Sequence, residues 1–306
     1  MKRGYFILVV LLIILAGYFF FKDIENSSNY TTFCPEFSNG QFQKICNLID
    51  RIVHNRHDIN EVGKIFSKND SFDLYNVMFK GSDGKDIYGL FYFPLKKKFN
   101  VIIVLPAAAG TKESRGFYGE ILTNLGYGAL ILDQRGIGET DGYAASLKED
   151  FDAFLKKKEV YQFLMAKDVI NAVDFVKNIK GVGEVGVLGE SMGGRNAMIA
   201  AGLDKRIKSA IIISSAGYSG NFENKQVEDF ISYINPNSYV KNISPRRILM
   251  LHAINDSVIP IADARYTFSL AKDPKKFIEF ADKECKHGYC KPMHEAIKEE
   301  LRNSFG

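Results

Sequence analysis

Ser191 lies in Gly189-Glu190-Ser191-Met192-Gly193, a G-x-S-x-G pattern in which a serine is a candidate nucleophile. Ahead of it, Glu184 to Leu188 is a short, largely apolar run with β-branched residues, and behind it Arg195 to Ala201 reads as a helix. A strand that turns that sharply into a helix leaves its serine on a strained apex with the hydroxyl pointing outwards. Gly189 and Gly193 suit such a bend, because the tightened backbone leaves no room for a Cβ. The helix start would also aim unpaired N–H groups and the positive end of its dipole at the hydroxyl, which favours an oxyanion forming there. As a bare pattern G-x-S-x-G is common by chance, so its weight rests on the elements around it.

A second cluster invites different chemistry. Cys285, His287, Cys290 and His294 spell C-x-H-x-x-C-x-x-x-H, all residue types that bind zinc. The spacing departs from C-x₂₋₄-C followed by H-x₃₋₅-H, since His287 falls between the cysteines, and no metal site is expected. Oxidation would instead close a short loop around His287. The chain has four cysteines, too few for a disulfide scaffold, and of the three possible pairings Cys34 with Cys46 and Cys285 with Cys290 is the one favoured here. His54 and His57 have no carboxylate or cysteine at ligand spacing and read as surface residues. The formal charge is +4, from 40 Lys+Arg against 36 Asp+Glu without long single-sign blocks, which gives nucleic-acid binding no electrostatic support. Lys96 to Lys98 and Lys156 to Lys158 are read as solvated faces.

The elements that must position these groups begin with an address. Lys2 and Arg3 precede Gly4 to Phe21, eighteen residues without a charge, close to the length at which a helix spans hydrocarbon. Ala16-Gly17 runs directly into Tyr18-Phe19-Phe20-Phe21 without a small-x-small cleavage site. The reading is an uncleaved signal anchor over 1–23 with the catalytic domain on the extracytoplasmic side, a secreted protein being the alternative. Residues 24–70 read as a polar tether, with a small helical elaboration from Gln41 to Arg56 whose apolar residues (Phe42, Ile45, Leu48, Ile49, Ile52, Val53) fall at helical spacing.

From Phe72 the pattern becomes regular. Phe72 to Phe79 and Asp86 to Phe93 are strand-like runs joined by a segment containing Asp83-Gly84, a hairpin signal. Strands at 101–105, 129–132, 209–214, 248–252 and 276–280 then alternate with helices at 113–125, 160–179, 262–271 and 293–305, with the Ser191 turn among them. Continuous apolar strands between helices predict an α/β domain over 71–306, with a mostly parallel central sheet covered by helices on both faces and an antiparallel hairpin at its start. There is no internal repeat and no second apolar core in the pattern. Segments near 141–159 and 217–239 stand outside the alternation. They are rich in aromatics (Tyr143, Phe151, Phe154, Tyr218, Phe222, Phe230, Tyr233, Tyr239), as a lid over a pocket would be.

With these elements in place, the chain from Phe72 onwards resembles the α/β-hydrolases. Asp133-Gln134-Arg135-Gly136-Ile137-Gly138-Glu139-Thr140 resembles a D-x-R-G-x-G-x-S segment of that family, with Thr140 in the serine place and a structural role expected. Leu105-Pro106-Ala107-Ala108-Ala109-Gly110 occupies the place of its oxyanion loop, where Pro106 and Ala107 replace the usual His-Gly. The resemblance implies backbone oxyanion donors at Met192 and Ala108, with Ala107 as the alternative to Ala108. It also implies the chain order Ser, acid, His. Ala253 to Pro260 matches the acid loop and makes Asp256 the acid, ahead of Asp263 and Asp282. His287, in Lys286-His287-Gly288-Tyr289, matches the base, ahead of His294; His252 precedes any candidate acid and reads as structural. The activity implied is that of a serine hydrolase cleaving an ester, thioester or amide in a small-molecule acyl substrate, in the manner of a carboxylesterase or acylglycerol lipase, with no cofactor. The alternatives are a small-peptide serine peptidase and a catalytically inactive, membrane-tethered binding protein on the same fold.

Overall fold

The structure is a computed structural model that describes residues 65–68, 72–143, 145–220 and 224–306. The signal anchor at 1–23, most of the tether and the Cys34–Cys46 pairing lie outside the described residues. Among the described residues no helix is long and apolar enough to cross a membrane.

The hairpin forms where its turn residues predict. β2 (Phe72–Lys80) and β3 (Asp86–Pro94) pair antiparallel, from Phe72 opposite Pro94 to Lys80 opposite Asp86. In the turn Gly84 takes φ +79° and donates its N–H to the Gly81 carbonyl at 2.9 Å. A short strand, β1 (Ile65–Lys68), adds antiparallel to the outer side of β2, so the sheet begins within the segment read as tether. Four residues are too few for strand alternation to stand out from a polar surrounding.

The remaining strands are β4 (Phe99–Leu105), β5 (Gly128–Leu132), β6 (Val182–Glu190), β7 (Ile207–Ile213), β8 (Arg247–Ala253) and β9 (Lys275–Phe280). They complete a nine-stranded sheet in the order β1-β2-β3-β5-β4-β6-β7-β8-β9. β3 meets β5 antiparallel, and from β5 through β9 every pairing is parallel. The parallel strands therefore end on one edge, and the loops leaving them converge there. Their near-continuous Val, Ile and Leu content follows from burial on both faces.

The helices are α1 (Gly116–Asn124), α2 (Leu147–Leu155), α3 (Tyr161–Lys177), α4 (Met192–Leu203), α5 (Lys225–Ile234), α6 (Ile261–Leu270) and α7 (His294–Phe305). Tyr118 and Leu122 of α1 and Ile297 and Leu301 of α7 pack with Ile102, Val104, Leu188, Ile211 and Leu249 of the sheet. The alternate residues of the strands face the other way, where Phe175 of α3 stacks on Phe79 of β2 with ring centroids 5.3 Å apart. The two segments outside the alternation supply α2 and α5, which meet each other. Phe230, Ile231 and Ile234 of α5 are buried with Val160, against Phe151 and Phe154 of α2. The pattern along the chain showed no second apolar core; this small cluster is one, and it arises only because two distant insertions come together.

Candidate active site

Ser191 sits at the end of β6 with φ +49° and ψ −113°, a conformation L residues rarely adopt. Its surroundings hold it there. Its N–H donates to the Ile213 carbonyl at 2.9 Å, and its own carbonyl accepts from Ser215 Oγ at 2.7 Å. The flanking glycines have an atomic reason. A Cβ on Gly189 would run into the Gly193 backbone, and a Cβ on Gly193 would run into the carbonyl oxygens of Leu105 and Pro106. The turn is thus pressed against the end of β4, which begins the loop carrying Ala108. An amide chain pins that loop: Asn196 Nδ2 donates to Gln134 Oε1 at 2.6 Å, and Gln134 Nε2 donates to the Pro106 carbonyl at 2.5 Å.

Asp256 and His287 meet. Nδ1 of His287 lies 3.0 Å from each oxygen of Asp256, and Asp256 Oδ1 also accepts the N–H groups of Val258 and Ile259 at 2.9 Å each. Burial pushes the Asp256 carboxyl up, but the two backbone donors and the imidazole outweigh it and hold the group below the ordinary carboxylate value. A hydrogen on Nδ1 pointing at this carboxylate leaves Nε2 with a free lone pair, the form a general base needs. His252 lies beneath. Its Nε2 is 2.9 Å from the Ile259 carbonyl and must carry the hydrogen there, and burial lowers its pKa, as suits a neutral structural imidazole. His294 begins α7, Asp263 accepts Ser219 Oγ at 2.5 Å, and Asp282 accepts the Glu284 N–H at 2.8 Å.

The loop around His287 is closed by a Cys285–Cys290 disulfide, so both sulfurs are bonded to each other and neither is a thiolate ligand. Glu190, the second residue of G-x-S-x-G, ties this loop to the strand that ends at Ser191. Its side chain is buried, with 2 % exposure. Oε1 accepts Tyr118 Oη at 2.8 Å and the Tyr289 N–H at 3.0 Å, and Oε2 accepts Arg115 Nε at 2.6 Å. Tyr289 also packs its ring against Phe117 and Tyr118. These partners lie far from Glu190 along the chain, and nothing in the local pattern marks them as its neighbours.

The family model described as alpha/beta hydrolase fold matches residues 100–246. The acetyl xylan esterase from Paenibacillus sp. R4 superposes with a TM-score of 0.67 at 20 % identity, covering 91 % of this chain and 99 % of that one. The chain has the α/β-hydrolase fold, and its residues 100–246 match that family's model. Among sequences, the uncharacterized protein YfhR of Escherichia coli O157:H7 is 24 % identical over 247 residues, covering 76 % of this chain and 81 % of that protein. YtaP of Bacillus subtilis (strain 168) is 36 % identical over 100 residues, so that the matched segment spans only 33 % of its length.

The segment after β5 is held by ion pairs and hydrogen bonds, and its residues 135–138 also line the cavity described below. Asp133 accepts the Lys112 N–H and Nζ at 2.7 Å each and the Glu139 N–H at 2.9 Å. Burial pushes the Lys112 ammonium down, but its carboxylate partners Asp133, Glu113 and Glu139 outweigh it and raise its pKa. Arg135 spends its donors on Asp168 (2.5 and 2.7 Å) and Asp83 (2.6 and 2.9 Å). Thr140 takes the serine place with Oγ1 donating to the Asp133 carbonyl at 2.8 Å.

Over the elbow lies a cavity of about 740 Å³, within the range of small-molecule sites. Ser191, Met192 and Ala108 form part of its floor, Val258 and Ile259 of the Asp256 loop and Tyr161 and Gln162 of α3 part of its wall, and Ala145, Tyr218 and Ile234 its inserted side. The first lid-like segment borders the cavity through Ala145 and the second through Tyr218 and Ile234, while most of their aromatic rings pack on one another.

Proposed function

We propose that the chain is a serine hydrolase cleaving an ester, thioester or amide through an acyl-enzyme. The observation that carries this reading is the His287 Nδ1 to Asp256 contact of 3.0 Å in the loops bordering the strained Ser191 turn. Ser191 Oγ attacks the substrate carbonyl carbon while His287 Nε2 takes its proton and Asp256 stabilises the resulting imidazolium. The oxygen that becomes negative accepts hydrogen bonds from the N–H groups of Met192, at the start of α4, and Ala108, across the cavity floor. Collapse of the tetrahedral adduct expels the alcohol, thiol or amine, which takes the proton back from His287. Water, deprotonated by the same imidazole, then releases the acyl group and restores Ser191.

Carboxylesterase action is favoured within this class. The cavity is walled largely by apolar groups, and structural neighbours of the same fold carry esterase names. A fluorophosphonate probe tests the reading: it should label the folded protein and fail to label Ser191→Ala, whereas an unlabelled folded protein would point to an inert binder. Hydrolysis of 4-nitrophenyl esters beside aminoacyl substrates separates esterase from peptidase.

The reading extends to location. A membrane-anchored catalytic domain on the extracytoplasmic side is supported by the uncharged run at 4–21 and by the Cys285–Cys290 disulfide, which persists in oxidising compartments. Membrane fractionation with protease accessibility of intact cells tests it.

A further inference from the structure

Arg195 is the unexplained charge of this cavity. It stands on α4 one helical turn after Ser191, whose carbonyl accepts the Arg195 N–H at 3.2 Å, and both residues line the same space. The only other charged residue lining that space among the described residues is Arg135, and its guanidinium makes four hydrogen bonds to the carboxylates of Asp83 and Asp168. Arg195 has no such counter-ion among the described residues. Its Nε donates to the Ala216 carbonyl at 3.1 Å, its Nη1 donates to Tyr218 Oη at 3.1 Å, and its guanidinium lies 4.5 Å from the centroid of the Tyr218 ring. Tyr218 is in turn fixed by donating to Gln162 Oε1 at 2.9 Å. The guanidinium is therefore held flat and oriented by neutral groups, with the Nη2 donors left over and no acid within ion-pair reach among the described residues.

A cation kept without a partner in a mostly apolar cleft is costly unless something brings it an anion. An arginine already stacked and held on one edge loses little freedom when a carboxylate docks on the remaining donors, and a charge-assisted hydrogen bond is roughly twice as strong as a neutral one. A rise of about 1.5 Å per residue puts the Arg195 backbone roughly 6 Å along the helix from Ser191. A carboxylate a few bonds from the scissile carbonyl would then reach the guanidinium while the carbonyl sits at Ser191.

Resting on the hydrolase reading, we propose that Arg195 is the anion receptor of the substrate site and that the preferred substrates are esters carrying a carboxylate near the scissile bond. The carboxylate can belong to the acyl part, as in a dicarboxylic half-ester, or to the alcohol part. Both sources share the chemistry and are separated by the test.

The test compares kcat/KM for matched pairs, after subtraction of spontaneous hydrolysis. On the acyl side the pair is the 4-nitrophenyl half-ester of glutaric acid and its neutral methyl ester. On the alcohol side it is the butyrate ester of 4-hydroxybenzoic acid and that of methyl 4-hydroxybenzoate. The wild-type protein should prefer the anionic member of at least one pair by about tenfold, as a charge-assisted contact implies. Arg195→Gln should bring that ratio to about one, and Arg195→Lys should retain part of it. The pair that responds identifies the side of the ester that bears the anion. A wild-type ratio near or below one in both pairs overturns the proposal, as does a preference that Arg195→Gln leaves intact. Calorimetric titration with monomethyl glutarate keeps the two readings apart. If Ser191→Ala still turned over every ester, the nucleophile would be wrong, yet binding lost in Arg195→Gln would still uphold the receptor, and equal binding by the two proteins would sink it.

Discussion

The floor of the cavity and its inserted side are held together by different physics. On the floor, Glu190, Asp256 and His287 are fixed by buried and half-buried hydrogen bonds among a strand end, α1 and the loops: Glu190 to Tyr118, Tyr289 and Arg115, and Asp256 to Val258, Ile259 and His287. On the inserted side, α2 and α5 meet through rings, with Phe230 5.4 Å from Phe151 and 5.7 Å from Phe154, and Tyr143 left 61 % exposed. Directional bonds set a geometry to fractions of an ångström, while ring packing tolerates repacking as long as volume is kept. The floor can thus preserve one arrangement of the proposed reacting groups while the inserted side varies in what it admits.

The largest losses are expected at the proposed reacting groups. Ser191→Ala or His287→Ala should lower turnover of a 4-nitrophenyl ester by about 10⁴-fold or more, since members of such a constellation act as a unit. His294→Ala, at the start of α7, should leave it within about twofold, and the reverse pattern for the two histidines would overturn the assignment of the base.

Next in size is the buried carboxylate. Glu190→Ala leaves Arg115, Tyr118 and the Tyr289 N–H without their acceptor, and should cost about 3–5 kcal/mol in chemical denaturation. Glu190→Gln keeps an acceptor oxygen and should cost less. Because the lost contacts orient the His287 loop, kcat should fall more than KM rises in both variants.

On the inserted side, Phe230→Ala should cost about 3 kcal/mol at most, the lower end for a buried phenylalanine because this cluster is small. Its kinetic signature should differ from that of Glu190: the order of preference among esters of rising chain length should change, while the rate of fluorophosphonate labelling changes little. Equal loss of labelling in the Glu190 and Phe230 variants would erase the distinction between floor and inserted side.

The smallest effect expected is one of pH. Burial lowers the pKa of His252, so between an unfolded value of about 6.5 and its lower folded value the unfolded chain binds more protons than the native one. Stability then rises with pH through that window and is lost as pH falls through it, with a slope of at most about 1.4 kcal/mol per pH unit for one proton. Melting temperatures measured across this range should flatten in His252→Asn. The lowered Asp256 carboxyl adds its own loss further down, below about pH 4, as it becomes protonated.

The local pattern carried the strands, the hairpin turn and the Ser191 bend, because each depends on periodicity or on glycines within a few residues. Gly189 and Gly193 were legible for that reason, and the structure supplies the carbonyls that exclude a Cβ from Gly193. Asp256 and His287 were legible through loop motifs and chain order. Glu190 was not, although it stands beside Ser191, because its partners lie 72, 75 and 99 residues away. The edge strand Ile65–Lys68 was too short to show an alternation.

By itself, then, the sequence determined the elements, the reactive residue types and their order, since these follow from steric and hydrophobic preferences acting between near neighbours. Tertiary structure decided which distant groups meet: the β5-β4 order in the sheet, the joining of two insertions into one aromatic cluster, the tether from Glu190 to the His287 loop, and an Arg195 left without a counter-ion among the described residues. Those outcomes depend on how charges and volumes are matched across the whole folded core, and no short window of residues contains that balance.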